Sequence, residues 1–202
     1  MDTSFTVPEA ALPYIGLHRT HLRGDLGRQY AQDVASDYEL IKPFLPEKGQ
    51  ATLDIGCGMA GIDVLLWRHY RNPIIHLLDG TGDTPVRVLY QPAMAPYNSM
   101  AVARQLLEGN GVPGDHIVEW APDPALTLPQ CDLIVSLLSW GFHYPVATYL
   151  PLVERCLRPG GRLIIDLRRG QGGLDELDQR LWCVEILSSS VKFDRACYEM
   201  PD

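Results

Sequence analysis

Lysine is nearly absent from this chain: it occurs only at Lys42, Lys48 and Lys192 among 202 residues. Acidic side chains outnumber basic ones by 25 to 17, leaving a formal net charge of −8. Contact with a phosphate backbone needs clustered Lys and Arg, so this balance argues against a nucleic-acid partner. No C-x-x-C pair occurs among Cys57, Cys131, Cys156, Cys183 and Cys197. An odd, unpaired set, most of it in apolar stretches or beside glycines, reads as small hydrophobes in a reducing, cytoplasmic compartment. Long apolar runs are missing too, so no membrane span is expected. Residues 1–9 have neither a basic n-region nor an apolar h-region, which speaks against a secretory leader. No His/Asp/Glu pair shows ligand spacing, and no metal is expected. Repeats, low-complexity tracts and linkers are absent as well. What remains is an enzyme-sized domain of ordinary composition, 46% hydrophobic and 21% charged.

Strand-like and helix-like stretches then alternate, the sign of a parallel sheet with crossover helices. Tyr30, Val34, Tyr38 and Ile41 predict a helix over 30–44, stopped by Pro43 and Pro46. Strands are predicted at 51–55, 73–79, 116–120, 131–138 and 162–167. Helices are predicted at 61–70, 98–108, 146–157 and 174–180. Gly109-Asn-Gly111 and Arg158-Pro-Gly-Gly161 read as closing turns. The tail differs. Strands at 182–187 and 192–199 are joined too closely to be parallel, so they form an antiparallel hairpin. The expected architecture is α/β: a Rossmann-like, doubly wound sheet of about seven strands, mostly parallel, with the last strand antiparallel. Residues 1–48 are expected as an N-terminal helical segment and 49–202 as the main domain.

The chemistry concentrates where the 51–55 strand runs into Asp54-x-Gly56-x-Gly58-x-x-Gly61. Glycines there permit a tight turn and let a ligand lie against bare backbone, while Gly61 allows close helix–strand packing. A G-x-G-x-x-G string alone is weak evidence. Its context is stronger: a strand precedes it, a helix follows, and the next strand ends in Asp79, roughly 20 residues on, where an acid accepts the ribose hydroxyls of a nucleoside. The blander reading makes Asp79 a turn residue before Gly80. A dinucleotide would bring a pyrophosphate, which favours a neutral or positive loop. Asp63 suits a first helical turn in any case. Asp54 instead suits a ligand with an ammonium and a sulfonium.

With Leu53-Asp-Ile-Gly-Cys-Gly58, Leu77-Leu-Asp79, Cys131-Asp-Leu-Ile-Val-Ser136 and Leu157-Arg-Pro-Gly-Gly-Arg-Leu-Ile-Ile165 in order, residues 50–167 resemble the class I S-adenosylmethionine-dependent methyltransferases. The resemblance implies S-adenosylmethionine as cofactor. It implies that Asp54, Gly56, Cys57, Gly58, Asp79, Gly80 and Thr81 bind it, with Gly56 and Gly58 at its methionine end and Asp79 on its ribose. Ala121 and Asp123 would flank the adenine, although Pro122 and Pro124 depart from the family pattern. Ser136 and Leu137 would line the site from the fourth strand.

Downstream, Ser139-Trp-Gly-Phe-His-Tyr-Pro145 is read as a loop facing the transferred methyl group. It lacks the Asn/Asp-Pro-Pro-Tyr-type tetrad of enzymes that methylate base or glutamine amino groups. With Asp79-Gly-Thr81 and Tyr97-Asn98 it looks similar to bacterial sugar O-methyltransferases. His143 is the candidate general base, since imidazole titrates near neutral pH; the alternative is a structural loop histidine. Trp140 and Tyr144 are candidates to wall the substrate. Arg168 is a candidate to hold an anionic group, against a salt bridge to a neighbouring acid. Tyr14 and His18, from a polar set with Arg19, His21 and Arg23, are candidate substrate contacts if the N-terminal segment is a lid. The reading is O-methylation of a small, polar, sugar-like metabolite, with a homodimer as a further expectation. Methylation of nitrogen, RNA or protein stays open, as does an inactive cofactor-binding scaffold.

Overall fold

The computed structural model describes residues 1–80, 98–123 and 125–202, and between them only a short ribbon pairing Arg87–Val88 with Gln91–Pro92. Seven strands make one sheet: β1 (Ala51–Ile55), β2 (Ile74–Leu78), β3 (Ile117–Trp120), β4 (Cys131–Ser136), β5 (Leu157–Arg168), β6 (Trp182–Ser189) and β7 (Phe193–Glu199). Their spatial order is β3-β2-β1-β4-β5-β7-β6. β7 alone is reversed: it inserts between β5 and β6 and pairs antiparallel with both. This is the expected sheet. Continuous apolar strands such as β1 and β4 are buried at every position, as a strand covered on both faces must be.

Among the described residues six α-helices cover the sheet: α1 (Leu12–His18), α2 (Leu26–Ile41), α3 (Gly61–Tyr70), α4 (Met100–Gly109), α5 (Leu150–Cys156) and α6 (Gly173–Asp178). Because side chains alternate along a strand, successive residues serve different layers. Leu133 and Val135 pack under α2, α3 and α4, whereas Ile134 packs under α5 and α6. The N-terminal helices thus share one apolar cluster with α3, α4 and the sheet, through Ile15, Tyr30, Val34, Tyr38 and Ile41. Among the described residues no helix is long and apolar enough to cross a membrane.

Element boundaries move where capping decides them. α2 begins at Leu26, four residues before the first buried tyrosine, because the Asp25 carboxylate caps it by accepting the Arg28 N–H at 3.0 Å. α4 begins at Met100 because Ser99 is its cap, its hydroxyl accepting the Val102 N–H at 3.4 Å. The predicted helix over 146–157 is shorter, a single turn at Val146–Thr148 followed by α5. Arg158–Gly161 is not a closing turn but the start of β5. The Gly160 N–H donates to Met200 O, and the Met200 N–H to Gly161 O, both at 2.9 Å, which ties this end of β5 to the end of β7. Ser139–Tyr144, expected as a loop, runs extended outside the seven-strand order, along the end of β5.

The chain order 1-2-3 runs outward from one side of β1 and 4-5 from the other. The crevice between β1 and β4 at their carboxyl ends is therefore the topological switch point, where open α/β sheets bind ligands.

Candidate functional site

A cavity of about 660 Å³ opens at that switch point, within the size range of small-molecule sites. Its floor is the turn after β1. Gly56 and Gly58 have left-handed φ values of 78° and 54°, which a side chain tolerates poorly. A Cβ on Gly56 would also overlap the Ser139 side chain. The Gly56 N–H donates to Leu78 O at 2.6 Å, fastening the turn to the end of β2. The Gly58 N–H donates to Asp79 Oδ2 at 2.8 Å and the Gly80 N–H to Asp79 Oδ1 at 2.7 Å, so the Asp79 carboxylate is held between the two turns. Tyr30, on α2, accepts the Gly61 N–H at 3.1 Å and covers the start of α3.

This end of the cavity is acidic. Asp54 and Asp63 are buried behind the turn, at 3% and 0% exposure. Burial pushes both carboxyls up, Asp63 to about 7 and, with the neighbouring Asp63 added, Asp54 well above the ordinary carboxylate range. Burial also lifts Asp79 to about 6, partly offset by the N–H groups of Gly58 and Gly80. The same negative charges, added to burial, raise the Cys57 thiol. Among the described residues no cation acts on Asp54 or Asp63.

The opposite wall comes from the segment after β4. The Ser136 hydroxyl donates to Ile55 O at 2.7 Å and accepts the Trp140 N–H at 3.0 Å, joining the ends of β1 and β4 to the extended segment. The buried Trp140 indole donates to Val146 O at 2.9 Å. Leu138 adopts a left-handed φ of 55°, and its N–H donates to Asp166 Oδ2 at 3.0 Å. Asp166 in turn is gripped by the buried Arg195 at 2.6 and 2.9 Å, and Arg195 reaches Asp37 of α2 at 2.6 Å. Phe142, His143 and Tyr144 face the cavity, with the Arg168 guanidinium 4.5 Å from the Phe142 ring centroid. Burial, and then the charges of Arg168 and His18, hold the His143 imidazole below its ordinary pKa, so it is neutral and able to accept a proton near pH 7.

No protein-family model matches this sequence, and no curated protein matches it. The solved structures do. A methyltransferase from Pyrococcus furiosus superposes with a TM-score of 0.58 at 14% identity, over 84% of this chain and 83% of that one. An O-methyltransferase segment of StiE gives 0.64 at 12% identity, over 97% and 84%. An O-methyltransferase family 2 protein from Planctomyces limnophilus, solved with apigenin, gives 0.56 at 17% identity, over 85% and 59%. The fold is that of the class I methyltransferases.

Of the residues expected at the site, Gly56, Cys57, Gly58, Asp79, Gly80, Leu137, Trp140, His143, Tyr144 and His18 line the cavity together. Asp54 and Ser136 sit behind the lining, the first acting through charge and the second through its hydrogen bonds. Ala121 and Asp123 are exposed, while Pro122 between them lines the cavity. Arg168 stands behind Phe142, and Tyr14 packs toward the core while its neighbours Ile15 and His18 face the cavity. Thr81 and Tyr97 lie outside the described residues. Sequence reasoning missed Tyr30, Tyr149, Lys192 and Phe193 as lining residues. Tyr30 was visible only as a core position of a helix. Lys192 and Phe193 reach the site because β7 is inserted beside β5, which no local pattern announces.

Proposed function

We propose that this chain is an S-adenosylmethionine-dependent methyltransferase that methylates a hydroxyl of a small, polar, sugar-like metabolite, with His143 as the base. The carrying observation is the cavity at the β1/β4 switch point, acidic at one end and faced by a neutral histidine on its other wall. When bound, the cofactor supplies an electrophilic methyl group on a sulfonium. The residues present fit it. The Gly56–Gly58 turn offers bare backbone, and a Cβ added to Gly58 would project toward His18 across the cavity. Asp79 is positioned to accept ribose hydroxyls. The buried Asp54 and Asp63 carboxyls can ionise toward a cation, whereas ionising them beside a pyrophosphate would be unfavourable.

The protein's own work is then positioning and one proton transfer. Gly56 and Gly58 seat the cofactor, and Ser136 fixes the wall opposite it. Phe142 and Tyr144 would exclude water and orient the acceptor hydroxyl, and positioning of this kind supplies much of the acceleration in methyl transfer. His143 takes the hydroxyl proton as the new bond forms. A reducing, cytoplasmic setting suits the five free cysteines.

Calorimetry with S-adenosylmethionine and with NAD tests the cofactor; binding of NAD alone would overturn the proposal. Incubation with labelled cofactor and a panel of sugars, nucleotide-sugars, phenols, RNA and protein tests the acceptor. His143→Ala is expected to lower kcat by about 10²–10⁴-fold while leaving cofactor affinity near wild type. Retained turnover would remove His143 from the role of base.

A further inference from the structure

Acidic and basic side chains both line or underlie the cavity. Asp54, Asp63 and Asp79 lie under and beside the glycine turn, and among the described lining residues Asp79 is the one carboxylate. The cations of the described lining are Lys192 and Arg19. Lys192, one of three lysines in the chain, lines it from the turn between β6 and β7, and Arg19 lines it from the end of α1. His18 and His143 line it as well, Arg19 lies over the Tyr30 ring near the glycine turn, and the Arg168 guanidinium is 4.5 Å from the Phe142 ring centroid. Two cations lining one cavity stand out in a chain with a net charge of −8.

The two cations are held in different ways. Arg19 faces Asp33 and Asp37 at 3.6 and 3.7 Å, loose pairings that leave its guanidinium able to accept a better partner. Lys192 is fixed by its backbone, its N–H donating to Ser190 Oγ at 3.1 Å and its carbonyl accepting the Arg169 N–H at 3.0 Å. Its ammonium has no ion-pair partner among the described residues. Beside burial, the charges of Arg168 and His18 act on His143.

We propose that the methyl acceptor is an anion, a hydroxyl compound bearing a carboxylate or a phosphate monoester, and that Lys192 holds the anionic group with Arg19 in support. This rests on the methyltransferase reading and narrows its acceptor. Lys192 binds the acid group as a charge-assisted partner, and His143 faces the hydroxyl. The acceptor's charge also offsets Arg168 and His18, so it favours His143 as the proton arrives. In the transfer the acceptor oxygen bonds to the methyl carbon, the sulfur–methyl bond breaks with its electron pair left on sulfur, and the hydroxyl proton passes to His143.

The test is equilibrium binding to the full chain loaded with S-adenosylhomocysteine. The probes are matched pairs: glucuronate against glucose, glucose 6-phosphate against glucose, and 4-hydroxybenzoate against its amide. At least one acid is expected to bind roughly tenfold or more tighter than its neutral partner, with added NaCl weakening the acid alone. Lys192→Met is expected to abolish that preference and Lys192→Arg to keep most of it, with S-adenosylhomocysteine affinity unchanged in both. Equal binding of acid and neutral members, a preference that survives Lys192→Met, or binding of no acid would each overturn the proposal. Failure to bind S-adenosylhomocysteine at all is the separate result that removes the methyltransferase reading. The pairs distinguish a carboxylate from a phosphate by which acid wins.

Discussion

Asp79 has two sets of donors to serve. One oxygen accepts the Gly58 N–H and the other the Gly80 N–H, and the remaining lone pairs are what a ribose would use. Burial lifts this carboxyl to about 6, so it is ionised at neutral pH and protonates within reach of ordinary experiments. A protonated carboxyl accepts hydroxyl donors poorly. Cofactor affinity is therefore expected to fall as pH drops through about 6. Asp79→Asn should raise the Kd by about 10–100-fold at pH 7.5, the cost of hydrogen bonds to a charged acceptor, and flatten the dependence. Calorimetry between pH 5.5 and 8 checks both; an unchanged pH profile in the variant would assign the titration elsewhere. Asp79, like Gly56 and Gly58, was legible because its role is local: a fixed spacing from a glycine turn at a strand end. Tyr30 and Lys192 were not, since their places depend on a helix laid across the turn and on the order of strands in the sheet.

Helix and strand segments were read with their types right, and their ends shifted where a side-chain cap or a glycine decided them, as at Asp25 for α2 and Gly160 for β5. What the segments do to one another was less visible. Asp166 falls inside the strand predicted at 162–167, but its partner lies on the reversed strand. Arg195 of β7 grips Asp166 of β5, reaches Asp37 of α2 and so steadies Leu138, whose left-handed backbone turns the chain into the site. Three elements depend on one guanidinium that is 3% exposed. Arg195→Met leaves the Asp166 carboxylate buried without its counter-charge, which is expected to cost about 3–5 kcal/mol in urea unfolding. Arg195→Met combined with Asp166→Asn should recover more than half of that loss, because the uncompensated charge is then gone. No recovery would mean that Arg195 acts through packing and not through charge.

The acidic end of the cavity also bears on the stability of the whole molecule. Asp63 sits at about 7 in the folded chain against 3.8 for an exposed aspartate, and Asp54 is raised as well. The folded state thus holds protons that the unfolded state releases. The stability these groups contribute is fully present below about 4, where both states are protonated, and is lost as pH rises through about 7. The ligand-free protein should accordingly melt at lower temperature at pH 8 than at pH 6. Asp63→Asn removes one of the two buried ionisable carboxyls. The expected gain at pH 8 is on the order of 1–3 kcal/mol, or about 3–10 °C in Tm for a chain of this size, shrinking toward pH 6. A bound cation relieves the same strain by a different route: it favours the ionised pair, so cofactor binding at pH 7 should release a proton. Calorimetry in buffers of different ionisation enthalpy measures that proton directly. If Asp63→Asn leaves both the melting profile and the proton count unchanged, the charge behind the glycine turn is not what distinguishes a sulfonium cofactor here.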